Sequence, residues 1–231
     1  MNTFIPDLVI EVTSVCNKAC NGCYAPNVVS KDSASDLQKK DPSLFLSLSD
    51  LQGALLSLDD ILPETISFRG GEPSLHPDLP SILSLTKYFS QNMVLETHGR
   101  WLLRAERELY QSLINSIKSN FVKIKISFDS MHRMRTNELV EIVSYLQAEG
   151  IDYSIAITEL TDEDFSNTRN SISWVSEEKI YFQRKAKSNQ ELLKPRFGVI
   201  DSKGKLKDGL DNKFTKTSIN LMSLRMGNAT G

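Results

Sequence analysis

The stretch Asp7-Leu-Val-Ile-Glu-Val-Thr-Ser-Val-Cys16-Asn-Lys-Ala-Cys20-Asn-Gly-Cys23 joins an apolar run to a loop that carries all three cysteines of the chain. The short apolar run Asp7–Thr13 predicts a β-strand that ends just before this loop. The cysteines follow with the spacing CxxxCxxC. Three thiolates at this spacing can hold three irons of a 4Fe–4S cluster, which leaves the fourth iron open to another ligand. An open metal position is typical of a site that does chemistry.

Two other interpretations of the cysteines stay open on this motif alone. A zinc ion could be completed by His76, His98 or His132, although zinc sites usually pair cysteines in two separate knuckles and no second knuckle exists here. A disulfide would leave one cysteine over, and nothing else in the sequence suggests secretion. A second motif is therefore needed to choose between a cluster, zinc and a chance spacing.

That second motif is Phe68-Arg69-Gly70-Gly71-Glu72-Pro73, which ends another apolar run about fifty residues later. Paired glycines alone would fit an ordinary tight turn. In this order, CxxxCxxC and GGEP together resemble the radical SAM superfamily. The resemblance implies a 4Fe–4S cluster held by Cys16, Cys20 and Cys23, whose open iron chelates S-adenosylmethionine (SAM).

The resemblance also implies a set of SAM contacts. Glu72 would accept the SAM amino group, with Gly70 and Gly71 allowing close backbone approach and Pro73 completing the motif. Glu96-Thr97-His98-Gly99 lies where many relatives have TNG, so Thr97 would contact the SAM carboxylate. Relatives usually carry an aromatic residue before the third cysteine, where this chain has Gly22. Either Tyr24 or backbone atoms near Gly22 would then meet the adenine.

Two later strand ends supply further candidates. Period-two alternation in Phe121–Asp129 separates an apolar face from a polar face that includes Ser127 and Asp129. By the resemblance, these two side chains would contact the carboxylate and ribose of SAM, whereas a half-solvated strand would show the same alternation. Glu159 stands where relatives have a fifth-strand SAM motif, but the match lacks the glycines of that motif.

Three side chains near these strand ends, which would surround the opening of the SAM site, are candidate catalytic or substrate-binding residues. His98 replaces the asparagine of TNG, and a lone histidine serves either as a structural hydrogen-bonding group or as a catalyst. Arg69 and Arg100 flank this opening and could recognise a carboxylate or phosphate. Both arginines are equally compatible with salt bridges.

Strand and helix patterns alternate six times, which predicts an α/β fold with a parallel sheet. A closed eight-stranded barrel needs about 250 residues, so this chain of 231 residues is predicted to form a partial (β/α)6 TIM-type barrel. The predicted strands are Asp7–Thr13, Thr65–Phe68, Asn92–Thr97, Phe121–Asp129, Tyr153–Glu159 and Lys179–Arg184. The predicted helices include Leu102–Ile117 and Thr136–Glu149. Both motifs follow strands, where parallel sheets place functional groups.

Two segments fall outside the predicted core of residues 1–187. Pro26–Ser43 is polar and without periodicity, so it is either a mobile lid or a surface insertion. Residues 188–231 form a short C-terminal extension, in which Phe197–Leu206 predicts a hairpin and Asn220–Gly231 a poorly ordered tail. From Lys179 onward there are twelve Lys and Arg against four Asp and Glu, a net charge of +8 in a chain of net charge −2. This basic end is either a solvated face or a contact for nucleic acid or another acidic partner.

The composition is that of a soluble globular protein, with 40% hydrophobic and 24% charged residues. No stretch approaches the apolar length that spans a bilayer, and the first six residues lack a signal-peptide pattern. The chain is therefore expected to be one cytoplasmic domain without a membrane partner, in a compartment where thiols stay reduced.

The predicted function is that of an oxygen-sensitive radical SAM enzyme. By the resemblance, an electron donor such as flavodoxin or ferredoxin reduces the cluster. SAM is then cleaved to a 5′-deoxyadenosyl radical, which abstracts hydrogen from a small organic substrate. Both neutral and anionic substrates are compatible with this prediction. With all three cysteines used, no auxiliary cluster is expected. The alternatives are radical modification of a peptide or RNA, with nucleic acid not favoured, and a non-catalytic iron–sulfur or zinc binding protein.

Overall fold

Strands and helices alternate along the residues that the computed structural model describes, namely 5–20, 23, 28–30, 32–58, 63–159, 161–184, 197–200 and 206–208. The strands are β1 (Ile5–Thr13), β2 (Val15–Cys16), β3 (Val28–Val29), β4 (Pro63–Gly70), β5 (Asn92–Thr97), β6 (Lys123–Ser127), β7 (Tyr153–Glu159), β8 (Ile180–Arg184), β9 (Phe197–Ile200) and β10 (Leu206–Asp208). The α-helices are α1 (Ala34–Lys40), α2 (Leu48–Leu56), α3 (Leu79–Thr86), α4 (Gln111–Ser119), α5 (Thr136–Ala148) and α6 (Asp162–Ser171). Short 3-10 turns lie at Pro42–Leu44, Pro73–Leu75, Arg100–Leu102, Arg107–Tyr110 and Glu177–Lys179.

One large sheet organises the fold, with the strand order β10-β9-β1-β4-β5-β6-β7-β8. From β1 through β4, β5, β6 and β7 to β8, each strand of this sheet pairs in parallel with its neighbour, whereas β2 and β3 pair in a separate two-stranded sheet. Parallel neighbours need crossover connections, and α2 to α6 lie in those connections. The predicted α/β fold is confirmed as a partial (β/α)6 TIM-type barrel, and the sheet does not close on itself.

The two faces of the sheet differ as the period-two pattern of β6 predicts. The apolar residues of this strand region are all buried in the main hydrophobic core, namely Val122, Ile124, Ile126 and Phe128. The helices cover that face, as Leu113 of α4 and Leu139 of α5 show by lying in the same core. Lys123, Lys125 and Ser127 stay partly exposed on the opposite, uncovered face. The polar face therefore remains available at the open side of the partial barrel.

The predicted helix Leu102–Ile117 is wrong in its first half. The chain instead makes two 3-10 turns before α4 begins at Gln111. Trp101 and Leu102 are buried in the main hydrophobic core, and the Trp101 indole N–H donates to Thr97 Oγ1 at 2.9 Å, which holds this segment in a 3-10 turn. The Arg107 guanidinium donates to the Leu102 carbonyl from Nε at 3.0 Å and Nη2 at 2.8 Å, which satisfies a carbonyl that a helix would otherwise use.

The strand predicted over Phe121–Asp129 is shorter at both ends. Phe121 has φ of 56° and a largely exposed side chain. In this left-handed conformation it terminates α4 and turns the chain into β6, so the strand starts only at Lys123. At the other end the strand stops at Ser127, so Asp129 lies in the loop that follows it. The Asp129 carboxylate accepts backbone N–H groups of this loop.

The segment predicted as an aperiodic insertion, Pro26–Ser43, contains regular structure. Ser33 caps α1 by accepting the Asp36 backbone N–H at 3.2 Å. Leu37 of this helix packs with Phe45 and Val15 in a small second core. Because Val15 lies one residue before Cys16, α1 is anchored beside the cysteine loop.

The predicted hairpin is present and belongs to the sheet. β9 and β10 pair in antiparallel fashion, and β9 also pairs in parallel with β1. The C-terminal extension thus adds two strands to the β1 edge. The predicted tail Asn220–Gly231 lies outside the described residues. Within those residues, no helix combines the length and apolar character needed to cross a membrane.

Candidate active site

The GGEP loop lies directly against the chain segment that leads into the cysteines. Gly71 N–H donates to the Thr13 carbonyl and Glu72 N–H to the Val15 carbonyl, both at 2.8 Å. A Cβ atom on Gly71 would lie 2.1 Å from the Val15 carbonyl oxygen. One on Gly70, whose φ is 151°, would lie 2.2 Å from that of Thr13. The glycines are therefore required for the close approach of two strand ends, which the sequence did not reveal.

Glu72 is the centre of the site and is only 1% exposed. Its Oε1 accepts hydrogen bonds from Ser74 N at 3.2 Å, Ser74 Oγ at 2.8 Å and Thr97 Oγ1 at 2.6 Å. Its Oε2 accepts the His98 backbone N–H at 3.1 Å and lies 3.3 Å from His98 Nε2. This carboxylate is already oriented by the protein, and Pro73 behind it starts the buried 3-10 turn. A SAM amine at Glu72 would have to share or replace these donors.

Thr97 ends β5 and connects Glu72 to the following loop. Besides donating to Glu72, its hydroxyl accepts Gly99 N–H at 3.0 Å and Trp101 Nε1–H at 2.9 Å. Gly99 has φ of 73° and starts the turn that brings the buried Trp101 back to the threonine. The structure brings Thr97 to Glu72, with its hydroxyl used in three hydrogen bonds.

His98 is 8% exposed and lies between the two motifs. Its Nδ1 is the acceptor for Arg100 N–H at 3.1 Å, and its Nε2 is 2.9 Å from Asn17 Oδ1 in the cysteine loop. Burial lowers the pKa of His98, although the nearby Glu72 carboxylate acts to raise it. The histidine is therefore placed as a neutral hydrogen-bonding group of the site.

The three cysteines occupy one loop at the carboxyl end of β1. Cys16 is buried, Cys20 is partly buried and Cys23 is exposed, and no disulfide joins any two of them. Burial raises the pKa of the Cys16 thiol to about 11, and Cys20 and Cys23 contribute to the increase. Metal coordination would therefore be needed to hold these thiols as thiolates.

The donor chemistry of this loop fits an iron–sulfur cluster, since three soft sulfur ligands come from one short segment. Among the described residues, however, no three His, Cys, Asp or Glu side chains are yet grouped tightly enough to enclose a metal ion. Metal binding is coupled to the folding of its site, so the irons would draw the three sulfurs together.

The histidines proposed for zinc are mostly engaged elsewhere. His76 is buried, with Nδ1 accepting Asp78 N–H at 3.0 Å and Nε2 2.9 Å from the Leu46 carbonyl. Both ring nitrogens of His98 are likewise in hydrogen bonds. His132 keeps Nδ1 on Asp129 at 2.8 Å. Two of the three histidines would have to break buried hydrogen bonds to ligate zinc.

Because burial also lowers the pKa of His76, that residue makes a testable contribution to acid sensitivity. The folded-state pKa lies below the unfolded value of about 6.5, so the unfolded chain binds the extra proton and stability falls as pH drops below about 6.5. His76→Gln, which can still donate to the Leu46 carbonyl, is expected to lose less stability between about pH 7.5 and pH 5 than the wild type. Urea unfolding at both pH values measures this. Equal losses in the two proteins would contradict it.

Asp129, just after β6, is another buried acidic residue. Asp129 Oδ1 accepts Met131 N–H and His132 N–H, each at 3.0 Å, and pairs with the His132 ring. Its Oδ2 is buried without a hydrogen-bond partner among the described residues. Burial raises the pKa of the Cys20 thiol, and the negative charges of Cys23 and Asp129 add to the increase. An unpaired buried carboxylate oxygen fits the ribose contact that the resemblance implies.

Glu159 and Ser127 have separate positions. Glu159 is 3% exposed and accepts Ser130 N–H at 3.0 Å, Ser130 Oγ–H at 2.8 Å and Thr168 Oγ1–H at 2.9 Å. It thereby holds the loop after β6 in place beside Asp129. Ser127 lies on the uncovered face of β6, in register with Ala156. Tyr24 lies outside the described residues.

The two arginines differ in their surroundings. Arg100 Nη2 donates to the Arg133 carbonyl at 2.7 Å and lies 3.5 Å from Glu138 Oε2, so the salt bridge considered for it is present. Arg69 lies in register with Glu11 on the uncovered face of the sheet. Sequence patterns missed Asn17, Ser74 and Trp101, none of which belongs to a recognised motif. Pro73, which precedes Ser74, is the one sequence feature that indicates a turn here. That turn brings the Ser74 hydroxyl to Glu72.

Comparison with known proteins gives distant relatives. No protein-family model matches the chain. Two curated proteins named GTP 3′,8-cyclase, from Actinobacillus pleuropneumoniae serotypes 5b and 7, are each 27% identical over 157 residues, covering 65% of this chain and 41% of theirs. The chain therefore spans less than half the length of the curated relatives it matches.

Solved structures share the fold. A tagged form of anSMEcpe with bound AdoMet (S-adenosylmethionine) superposes with a TM-score of 0.54 at 13% identity, covering 81% of this chain and 55% of that one. The native form with bound AdoMet gives a TM-score of 0.52 at 13% identity over 81% and 56% of the two chains. At this identity the likeness establishes the partial-barrel fold.

Proposed function

We propose that this chain is a radical SAM enzyme that cleaves S-adenosylmethionine reductively and uses the resulting 5′-deoxyadenosyl radical to abstract hydrogen from a small substrate. One observation carries the proposal. The GGEP loop is hydrogen-bonded to the backbone on both sides of Ser14, which places Glu72 beside the CxxxCxxC loop. This contact between two motifs that lie about fifty residues apart in the sequence supports a single site that would use both of them.

Each side chain has a proposed task. Cys16, Cys20 and Cys23 would hold a 4Fe–4S cluster, which when bound supplies the electron for SAM cleavage. Glu72 would bind the SAM amino group, because it is a buried carboxylate preoriented by hydrogen bonds. Thr97 holds the Glu72 carboxylate in that orientation.

The remaining candidates would surround the nucleoside and the substrate. Asp129 would bind the ribose through its unpaired oxygen, while Ser127 lies on the same side of the sheet. Glu159 would act through the loop it positions and not by direct contact. We retain Arg69 as a candidate for an anionic substrate group, because it lies on the uncovered face near the GGEP loop.

Support for the superfamily comes from the two distant comparisons. The curated relatives are named for an activity on GTP, an anionic small molecule, which supports a small anionic substrate here. The shared fold with AdoMet-bound structures agrees with SAM as cofactor. A flavodoxin or ferredoxin would serve as the electron donor.

The test is anaerobic reconstitution with iron and sulfide, followed by reduction, addition of SAM and measurement of 5′-deoxyadenosine. The wild type is expected to take up four irons per chain and to form 5′-deoxyadenosine, in line with a cluster held by three thiolates. Cys20→Ala removes one of the three protein ligands and is expected to abolish product. Ser35→Ala, an exposed residue of α1, is a matched control that should behave like the wild type.

Three outcomes would separate the alternatives. Zinc bound in place of iron, with no cluster formed, would contradict the enzyme and favour a zinc binding protein. A formed cluster without SAM cleavage under any reductant would favour a non-catalytic iron–sulfur protein. Equal product from Cys20→Ala and the wild type would show that the cysteine loop is not the site of the reaction.

A further inference from the structure

His98 makes a link between the two motifs that belongs to neither of them. Its Nδ1 accepts the backbone N–H of Arg100. Because an N–H group can only donate, Nδ1 carries no proton and the proton of the neutral ring lies on Nε2. That proton faces Asn17 Oδ1 at 2.9 Å and Glu72 Oε2 at 3.3 Å. One neutral imidazole therefore donates to the cysteine loop while it lies against the GGEP carboxylate.

The hydrogen bond between His98 and Asn17 lies farther along the cysteine segment than the backbone hydrogen bonds that join it to the GGEP loop. Backbone hydrogen bonds from the GGEP loop hold β1 and its continuation as far as Val15. Asn17 comes two residues later, directly after Cys16, and its side chain is the next one along the chain that is tied to this part of the sheet. Pairing of β2 with β3 holds Cys16, and the Asn17 side-chain hydrogen bond adds a direct tie between the cysteine loop and the end of β5.

We propose that His98 is a positioning residue, which sets the placement of the Cys16–Cys20 stretch relative to Glu72 through its Nε2–H hydrogen bond to Asn17. The role rests on the proposed function, since the groups that it positions would hold the cluster and SAM. His98 acts through Asn17 and does not touch reacting atoms, so it is not a catalytic residue. Mutation of a residue that orients a metal site without binding the metal typically lowers metal affinity or activity by about 10–100-fold.

The hydrogen bond itself can be tested in the metal-free protein. Nitrogen-15 NMR of the histidine rings is expected to show the Nε2–H tautomer at His98, with a proton that exchanges slowly with solvent. Asn17→Ala removes the acceptor and should speed that exchange, whereas Asn17→Asp keeps an acceptor oxygen and should preserve the protection. Asn137→Ala, an exposed asparagine of α5, is the control. An Nδ1–H tautomer, or unchanged exchange in Asn17→Ala, would overturn the proposal.

The consequence for the site is tested in reconstituted protein by electron paramagnetic resonance of the reduced cluster before and after SAM addition. Asn17→Ala and His98→Ala are expected to change the signal obtained with SAM and to lower 5′-deoxyadenosine formation about 10–100-fold. His98→Gln places an amide N–H near the Nε2 position and should recover most of the loss. Because the two residues act as a unit, the double alanine variant should be no worse than the more affected single one.

Failure of this inference can be told apart from failure of the proposed function. If the wild type forms the cluster and cleaves SAM but the two single losses add independently, His98 does not act through Asn17. The same conclusion follows if Asn17→Ala matches the wild type in both signal and product. If the wild type itself takes up no iron, the proposed function fails, and the NMR result still decides whether the hydrogen bond exists.

Discussion

Gly71→Ala is expected to destabilise the protein by about 3 kcal/mol, which lowers Tm by about 6–12 °C for a chain of this size. The reason is direct overlap, because the new Cβ would lie 2.1 Å from the Val15 carbonyl oxygen and 3.0 Å from Cys16 N. Both contacts are backbone atoms, so no side-chain rotation relieves them. The strand end that leads into the cysteine loop has to move, and the two 2.8 Å hydrogen bonds between the motifs are lost or strained.

In Gly71→Ala, the displacement of the strand end before Cys16 should reduce iron uptake more than it reduces the stability of the fold. Cys16 follows the displaced segment directly, so iron uptake by Gly71→Ala is expected to fall even at temperatures where the variant is folded. Thermal unfolding followed by circular dichroism, together with iron analysis after reconstitution, measures both effects. Gly53→Ala is the matched control, because nothing lies within 4 Å of its added Cβ and α2 should gain up to about 1 kcal/mol. A Gly71→Ala protein as stable and iron-rich as the wild type would show that the motifs do not meet as described.

Thr97→Val is expected to cost about 3 kcal/mol of unfolding free energy. The replacement is nearly isosteric, so the cost is polar: the Gly99 N–H and Trp101 Nε1–H lose their acceptor in a buried place, and Glu72 Oε1 loses its shortest donor. Each buried donor left without a partner costs about 1–3 kcal/mol. Urea unfolding measures the change, and Trp101 fluorescence in the native state should report the altered indole contact.

Two variants isolate the hydroxyl as the cause. Thr97→Ser keeps the oxygen and should recover most of the loss. Thr86→Val removes a hydroxyl from an equally buried threonine whose Oγ1 donates only to the Ile82 carbonyl of its own helix, at 2.6 Å. Because that bond is a local one within a helix, its removal should cost less than about 1 kcal/mol. If Thr97→Val and Thr86→Val are equally stable, the hydrogen-bond network at Glu72 contributes little to the fold.

Much of the fold follows from local patterns in the sequence. The strict alternation around β6 predicted which side chains enter the core, since a strand places successive residues on opposite faces. The predicted hairpin at residues 197–206 was found, although its pairing with β1 was not foreseen. Errors came where the local pattern was overridden. The helix predicted from Leu102 begins nine residues later, because Trp101 and Leu102 are buried in a 3-10 turn.

The sequence by itself determined which reactive groups the candidate site carries, namely three thiols within eight residues and a glutamate after paired glycines. It could not determine why those glycines are needed, or that Asn17 and His98, 81 positions apart, share a hydrogen bond. Periodicity and motif spacing are short-range properties, set by the geometry of one strand, helix or loop. Contacts between strand ends depend on the order in which the strands pair, and only the tertiary structure, by placing β1, β4 and β5 side by side, brings Thr13, Glu72 and His98 into one site.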